Sequence, residues 1–150
     1  MRKINQEGLA LLKEFESLQL NAYDDGGGVW TIGWGHTGKD VYQGKRITEE
    51  EAIELLNRDL EVFEAAVDSL VKRKLTDNQF SALVMFVFNV GVNAFQKSTM
   101  LKLLNGPTPI KIISKEFSKW VYDNGRILKG LVRRREAEKI LFLKSETLTT

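Results

Sequence analysis

Cysteine is absent from this sequence. Disulfides therefore contribute nothing to stability, and thiol catalysis and thiolate metal sites are excluded. Histidine occurs once, as His36, which rules out a multi-histidine metal site but leaves carboxylate-only sites open. No run of apolar residues is long enough to span a bilayer. The nearest approach to a targeting segment is Leu9–Leu12, far shorter than a signal-peptide core and followed by Lys13 and Glu14. The chain is expected to be made and folded in the cytosol, so an extracellular task would require another agent to release it. Internal repeats and low-complexity segments are also missing.

What is present suits one globular domain. The 150 residues are 43% hydrophobic and 28% charged, enough apolar chain to bury a core. The formal charge of +2 is unevenly spread. Residues 1–75 carry 10 Lys+Arg against 14 Asp+Glu, whereas residues 76–150 carry 12 against 6. A basic half suits an anionic partner such as nucleic acid, lipid or an acidic wall polymer, and equally a merely solvated surface.

The hydrophobic spacing predicts a first helix from Asn5, as N-cap, to Leu18, with Leu11, Leu12, Phe15 and Leu18 on its apolar side. From Asn21 to Ile47 the helical period disappears. Val29–Gly35 and Tyr42–Ile47 read as strands among glycine-rich turns. Thr48 with Glu51 forms a capping box that opens a long helix. Thr76 with Gln79 forms a second, ahead of Phe80–Gly91, which is apolar nearly all round and must be surrounded by other helices. Gly91 reads as a helix C-cap and Ser98 as the cap of a short helix. Pro109 reads as the first residue of a helix carrying Ile112, Ile113, Phe117 and Trp120. A last helix is expected from about Leu131 to Leu143, with a frayed end over 145–150. The expected fold is α+β and mostly helical. It comprises a small β-hairpin region within about 1–47, a linking helix within 48–75 and a helical lobe over 76–150, with a ligand groove between lobes.

One stretch, Glu16–Gly38, holds more functional groups than a turn needs. Glu16 lies on the apolar side of the first helix near its C-terminal end, while Glu14 lies toward solvent. A carboxyl among apolar residues at the negative end of a helix is the kind that keeps its proton, as a general acid must. A plain surface glutamate at the edge of the stripe is the competing reading. Asp25 sits in a glycine-rich turn nine residues on. Such an aspartate ordinarily bonds its own backbone, yet an exposed turn also keeps a carboxylate ionised. One neutral and one charged carboxyl across a cleft is the pair that glycoside hydrolysis uses. Thr31, on the first strand, could help Asp25 hold a water, or could simply be a β-branched strand residue.

The segment from Phe15 to Gly38 resembles the active-site segment of the phage-type lysozymes. That family of endolysins and muramidases includes the T-even phage lysozymes and the lambdoid phage endolysins. Its pattern is Glu, eight residues, Asp, five residues, Thr, then Gly-x-Gly-His. Glu16, Asp25, Thr31 and Gly33–His36 fit it, whereas Glu14 and Asp24 do not. The resemblance extends over nearly the whole chain, through Gly44–Leu60, Leu75–Gly91, Ala94–Asn105 and Phe117–Glu138. Two departures stand out. The family commonly has glycine where Ser17 stands, and bulkier residues where Gly26 and Gly27 stand, which points to a looser turn here.

The resemblance implies a lysozyme-like two-lobe fold. It implies hydrolysis of the β-1,4 bond between N-acetylmuramic acid and N-acetylglucosamine in bacterial peptidoglycan, with inversion. Glu16 would be the proton donor, and Asp25 with Thr31 would position the attacking water. His36 would be structural, pairing with an acid on the 49–68 helix. Thr37, Phe88 and Ser98 match substrate-contact positions, although Phe88 reads equally well as core. The run Arg133–Arg135 could attract the acidic wall, with at least one of the three an ion-pair partner instead. No cofactor or metal is implied. The enzyme would be a monomer without nucleic-acid partner or stable membrane insertion. It would wait in the host cytoplasm until a holin opens the route to the periplasm and wall. Three rival readings differ in what they require. A non-catalytic wall-binding module should lack a catalytic position, and none is missing. A nucleic-acid-binding protein should interleave exposed aromatics with its basic residues. A lytic transglycosylase would release anhydro-sugars and leave Asp25 and Thr31 without a task.

Overall fold

The computed structural model describes residues 2–145. It is an α+β chain dominated by helices. Among the described residues, 2–11 together with 63–145 form one compact unit, and Leu12–Val62 form the other.

The smaller unit begins on the second half of α1 (Gln6–Glu16). This helix is capped by Asn5, whose side-chain oxygen accepts the Gly8 N–H at 2.9 Å. It ends at Glu16, two residues earlier than the apolar spacing suggests, because Ser17 turns into the left-handed region at φ 55°. An antiparallel sheet follows, in the order β1 (Gln19–Asp24), β2 (Trp30–Gly33), β3 (His36–Thr37). Tyr23 faces Thr31 across β1 and β2, and Thr31 faces Thr37 across β2 and β3. The segment read as a strand over 42–47 is instead a turn-rich loop. It joins β1 by one bridge, Asn21 with Arg46, and by two bonds, Ala22 N–H to Lys45 O and Ile47 N–H to Leu20 O, both 2.9 Å. α2 (Glu49–Leu70) then opens on the expected capping box, with Thr48 and Glu51 exchanging two 3.1 Å bonds.

The larger unit is built round α3 (Asp77–Val90), in which Phe80–Val87 are buried without a gap. The Thr76–Gln79 capping box starts it. Gly91 ends it at φ 92°, its N–H donating to Val87 O at 2.8 Å. Phe86 is the hub of an aromatic core, meeting Phe117 at 5.3 Å and Trp120 at 5.5 Å edge-on, with Phe117 meeting Phe142 at 5.3 Å. Edge-on rings add attraction beyond the area they bury.

α4 (Val92–Gln96), α5 (Thr99–Leu104) and α6 (Ile110–Ser114) are short. Pro109 is the cap of α6 rather than its first helical residue. α6 also stops well before Trp120: Phe117–Lys119 form a separate 3-10 turn, so the one helix expected there is two pieces. A small hairpin, β4 (Tyr122–Asp123) and β5 (Arg126–Ile127), turns on Asn124 and Gly125, both at positive φ. α7 (Lys129–Leu143) closes the unit, beginning two residues ahead of the expected start. The frayed end expected after it lies, beyond Ser145, outside the described residues.

Two arginines of the Arg133–Arg135 run are interior. Arg134 and Arg135 are nearly inaccessible and share the fully buried Glu138 at 3.1 and 2.8 Å. Arg134 also donates to Met85 O and Arg135 to Trp120 O, each at 2.8 Å, and Arg135 binds the Asn89 side chain. Burial pushes the Glu138 carboxyl up and is opposed by the two guanidinium charges. Burial also pushes Arg135 down, against the pull of Glu138. Among the described residues, no helix is long and apolar enough to cross a membrane.

Candidate active site

Glu16, Asp25, Thr31, His36 and Thr37 all belong to the smaller unit. Glu16 is the last residue of α1 and is half-buried, whereas Glu14 is exposed. Its carboxylate lies against the turn between β2 and β3. A Cβ built on Gly35 would stand 3.1 Å from Glu16 Oε2.

Asp25 follows the end of β1, where the chain turns through Gly26–Gly28. Two interleaved sets of bonds shape that turn. The N–H groups of Gly26 and Gly28 donate to Asp24 Oδ1 at 2.8 and 2.9 Å. Those of Gly27 and Val29 donate to Asp25 Oδ1 at 2.8 and 3.4 Å. The turn in which Gly26 and Gly27 stand for the family's bulkier residues is bonded at four consecutive N–H groups. Both aspartates remain exposed to solvent.

Thr31 is buried on β2, and its hydroxyl donates to Val29 O at 3.3 Å. Its strand partner Tyr23 is two residues before Asp25. The sheet register thereby ties the threonine to the strand that carries the aspartate. Thr37 is exposed on β3, opposite Thr31.

His36 bridges two acids. Nδ1 donates to Asp59 Oδ2 on α2 at 2.8 Å, and Nε2 donates to Asp40 Oδ2 at 3.0 Å. Carboxylates only accept, so making both bonds requires a proton on each ring nitrogen, which is the imidazolium. Burial opposes that charge, but the hydrogen bonds and charges of Asp59 and Asp40 outweigh it and raise the His36 pKa above its ordinary 6.5. The bond from His36 correspondingly lowers Asp40. Asp59 is the acid on the long helix that sequence reasoning sought. Asp40 was not foreseen, and its only signal is its place four residues after the histidine.

Phe88 and Ser98 belong to the larger unit. Phe88 is half-buried and meets Phe63 edge-on at 5.1 Å. Ser98 caps α5: its hydroxyl accepts the Leu101 N–H at 3.1 Å and donates to Phe95 O at 2.6 Å.

Comparison with known proteins bears on this arrangement. The family model described as phage lysozyme matches residues 13–138. The endolysin of Bacillus phage B103 is 43% identical over 96% of this chain and 55% of its own length. The chain thus spans about half the length of the Bacillus phage endolysins it matches. The endolysin of Salmonella phage P22 is 40% identical over 95% of this chain and 99% of its own. Among solved structures, the muramidase domain of SpmX from Asticaccaulis excentricus superposes with a TM-score of 0.89. It is 40% identical, covering 97% of this chain and all of that one.

Proposed function

Because the chain belongs to the phage lysozyme family, we propose that it is a glycoside hydrolase that cuts the β-1,4 bond between N-acetylmuramic acid and N-acetylglucosamine in peptidoglycan. The observation that carries this reading is the setting of the two carboxyls. Glu16 is half-buried at a helix end against a glycine turn, and Asp25 is exposed in a turn its own side chain helps to hold. A sheltered acid and a solvated carboxylate suit opposite duties.

In this reading Glu16 gives its proton to the leaving glycosidic oxygen as the bond to the anomeric carbon breaks. Asp25 accepts a proton from the water that attacks the opposite face, and Thr31 helps to hold that water. The new C–O bond forms as the old one departs, so the anomeric carbon inverts. An inverting pair of carboxyls stands about 6.5–9.5 Å apart, leaving room for the water. His36 is structural, held between Asp40 and Asp59, and Thr37 contacts substrate. The enzyme acts as a monomer. It waits in the host cytoplasm, reaches the wall once a holin has opened the inner membrane, and serves host lysis.

The test compares wild type with Glu16→Gln on purified peptidoglycan, with mass analysis of the released fragments. The expected outcome is hydrated reducing-end muropeptides from wild type and none from the folded variant. Anhydro-products from wild type would replace hydrolysis by a transglycosylase reaction. Wall binding without release by either protein would leave a binding module.

A further inference from the structure

We propose that Gly35 is a positioning residue for Glu16: its missing side chain sets where the carboxyl of the acid stands. This rests on the reading of Glu16 as proton donor. Gly35 is one of two residues linking β2 to β3, and its φ is +82°. A Cβ there would meet Glu16 Oε2 at 3.1 Å and the carboxyl carbon at 3.9 Å, so the carboxyl would have to give by a few tenths of an ångström. The backbone that carries Glu16 is held at the helix end. Glu16 ends its helix, and Ser17 leaves it in the left-handed region with its N–H on Lys13 O at 3.1 Å. The β2–β3 turn is held in its turn by the antiparallel pairing of Ile32 with His36, and His36 is fixed by two acids. A Cβ at position 35 would therefore push on the Glu16 carboxyl from a turn that is itself held in place.

Conformation and contact must be separated, because alanine at positive φ is strained anywhere. Gly44 provides the control. Its φ is +90°, and a Cβ built on it meets nothing within 4 Å. Gly44→Ala carries the same kind of backbone strain with no carboxyl to displace.

The experiment measures kcat, KM and thermal midpoint for wild type, Gly35→Ala, Gly44→Ala and Gly35→Asn. Asparagine tolerates positive φ best among residues that carry a Cβ, so the last variant keeps the collision if alanine fails to fold. The expected result is similar stability loss for the two alanine variants. A fall in kcat of about tenfold, at nearly unchanged KM, should appear only at position 35, since a misplacement of about 1 Å costs about a hundredfold. Wild-type kcat in folded Gly35→Ala or Gly35→Asn, or an equal fall in Gly44→Ala, overturns the positioning role. Failure of the parent reading looks different: Glu16→Gln would then keep wild-type activity, or wild type itself would release nothing.

Discussion

Replacing Ser17 by glycine should stabilise the protein although it removes a side chain. Ser17 stands one residue beyond α1 at φ 55°, the left-handed position that glycine fills at many helix ends. A residue with a Cβ costs about 1–2 kcal/mol in that region relative to the right-handed one. Glycine avoids the cost but loses about 0.5–1 kcal/mol more backbone entropy on folding than a residue such as alanine. The side chain is exposed, so little packing is forfeited. At the middle of these ranges the balance favours Ser17→Gly by about 0.7 kcal/mol. For a chain of this size that raises Tm by about 1–4 °C. Urea denaturation provides the assay: the midpoint should rise while the slope, which reports the surface exposed on unfolding, stays constant. A midpoint unchanged or lowered at constant slope would refute the argument, since it would mean that Ser17 is not strained or that its side chain has a stabilising task.

Two further substitutions probe the charged interior and the histidine bridge. Glu138→Gln should cost about 3–5 kcal/mol, because it removes the buried carboxylate that two buried guanidinium groups share, whereas exposed Glu136→Gln should stay within about 0.5 kcal/mol; chemical denaturation of both decides it. The raised His36 pKa means that its contribution is complete below the ordinary value of 6.5 and is lost as pH rises through the higher folded value. Asp40, lowered, adds its part above the ordinary carboxyl range and loses it as pH falls through its folded value. The stability gap between wild type and His36→Asn should therefore be widest near about pH 5–6 and narrow above neutrality; a gap that widens toward alkaline pH, or full stability with lost hydrolysis, would contradict a structural imidazolium.

Much of the candidate site was legible because it is a matter of spacing. The intervals among Glu16, Asp25 and Thr31, and the glycines before His36, need no tertiary information to be read. The two capping boxes and the all-round apolar stretch of α3 were legible for the same reason: local hydrogen bonds and burial write directly into the sequence. Other features depend on partners. β1 is Gln-Leu-Asn-Ala-Tyr-Asp, with no β-branched residue, and it is a strand because β2 and the 42–47 loop flank it. That loop has the residues of a strand, yet it gains only one bridge and two flanking bonds. The Asn124–Gly125 turn carries the signature of a tight hairpin, but strands of two residues are too short to alternate. For Arg133–Arg135 the sequence suggested an ion-pair role for at least one arginine, but the helical spacing to Glu138 does not announce that Arg134, Arg135 and Glu138 are all buried.

The turn after β1 is its own scaffold. Its four N–H donors reach acceptors no more than four residues away, all on Asp24 and Asp25. A loop so local can close as soon as the chain is made, without waiting for distant strands or helices to arrive. The neighbouring strand adds to this frame rather than replacing it, through the Thr31 hydroxyl on Val29 O and the pairing of Asp24 with Trp30. The cost of that independence falls on Asp24. It has no part in the proposed chemistry, yet it holds as many of the loop's donors as Asp25, two each.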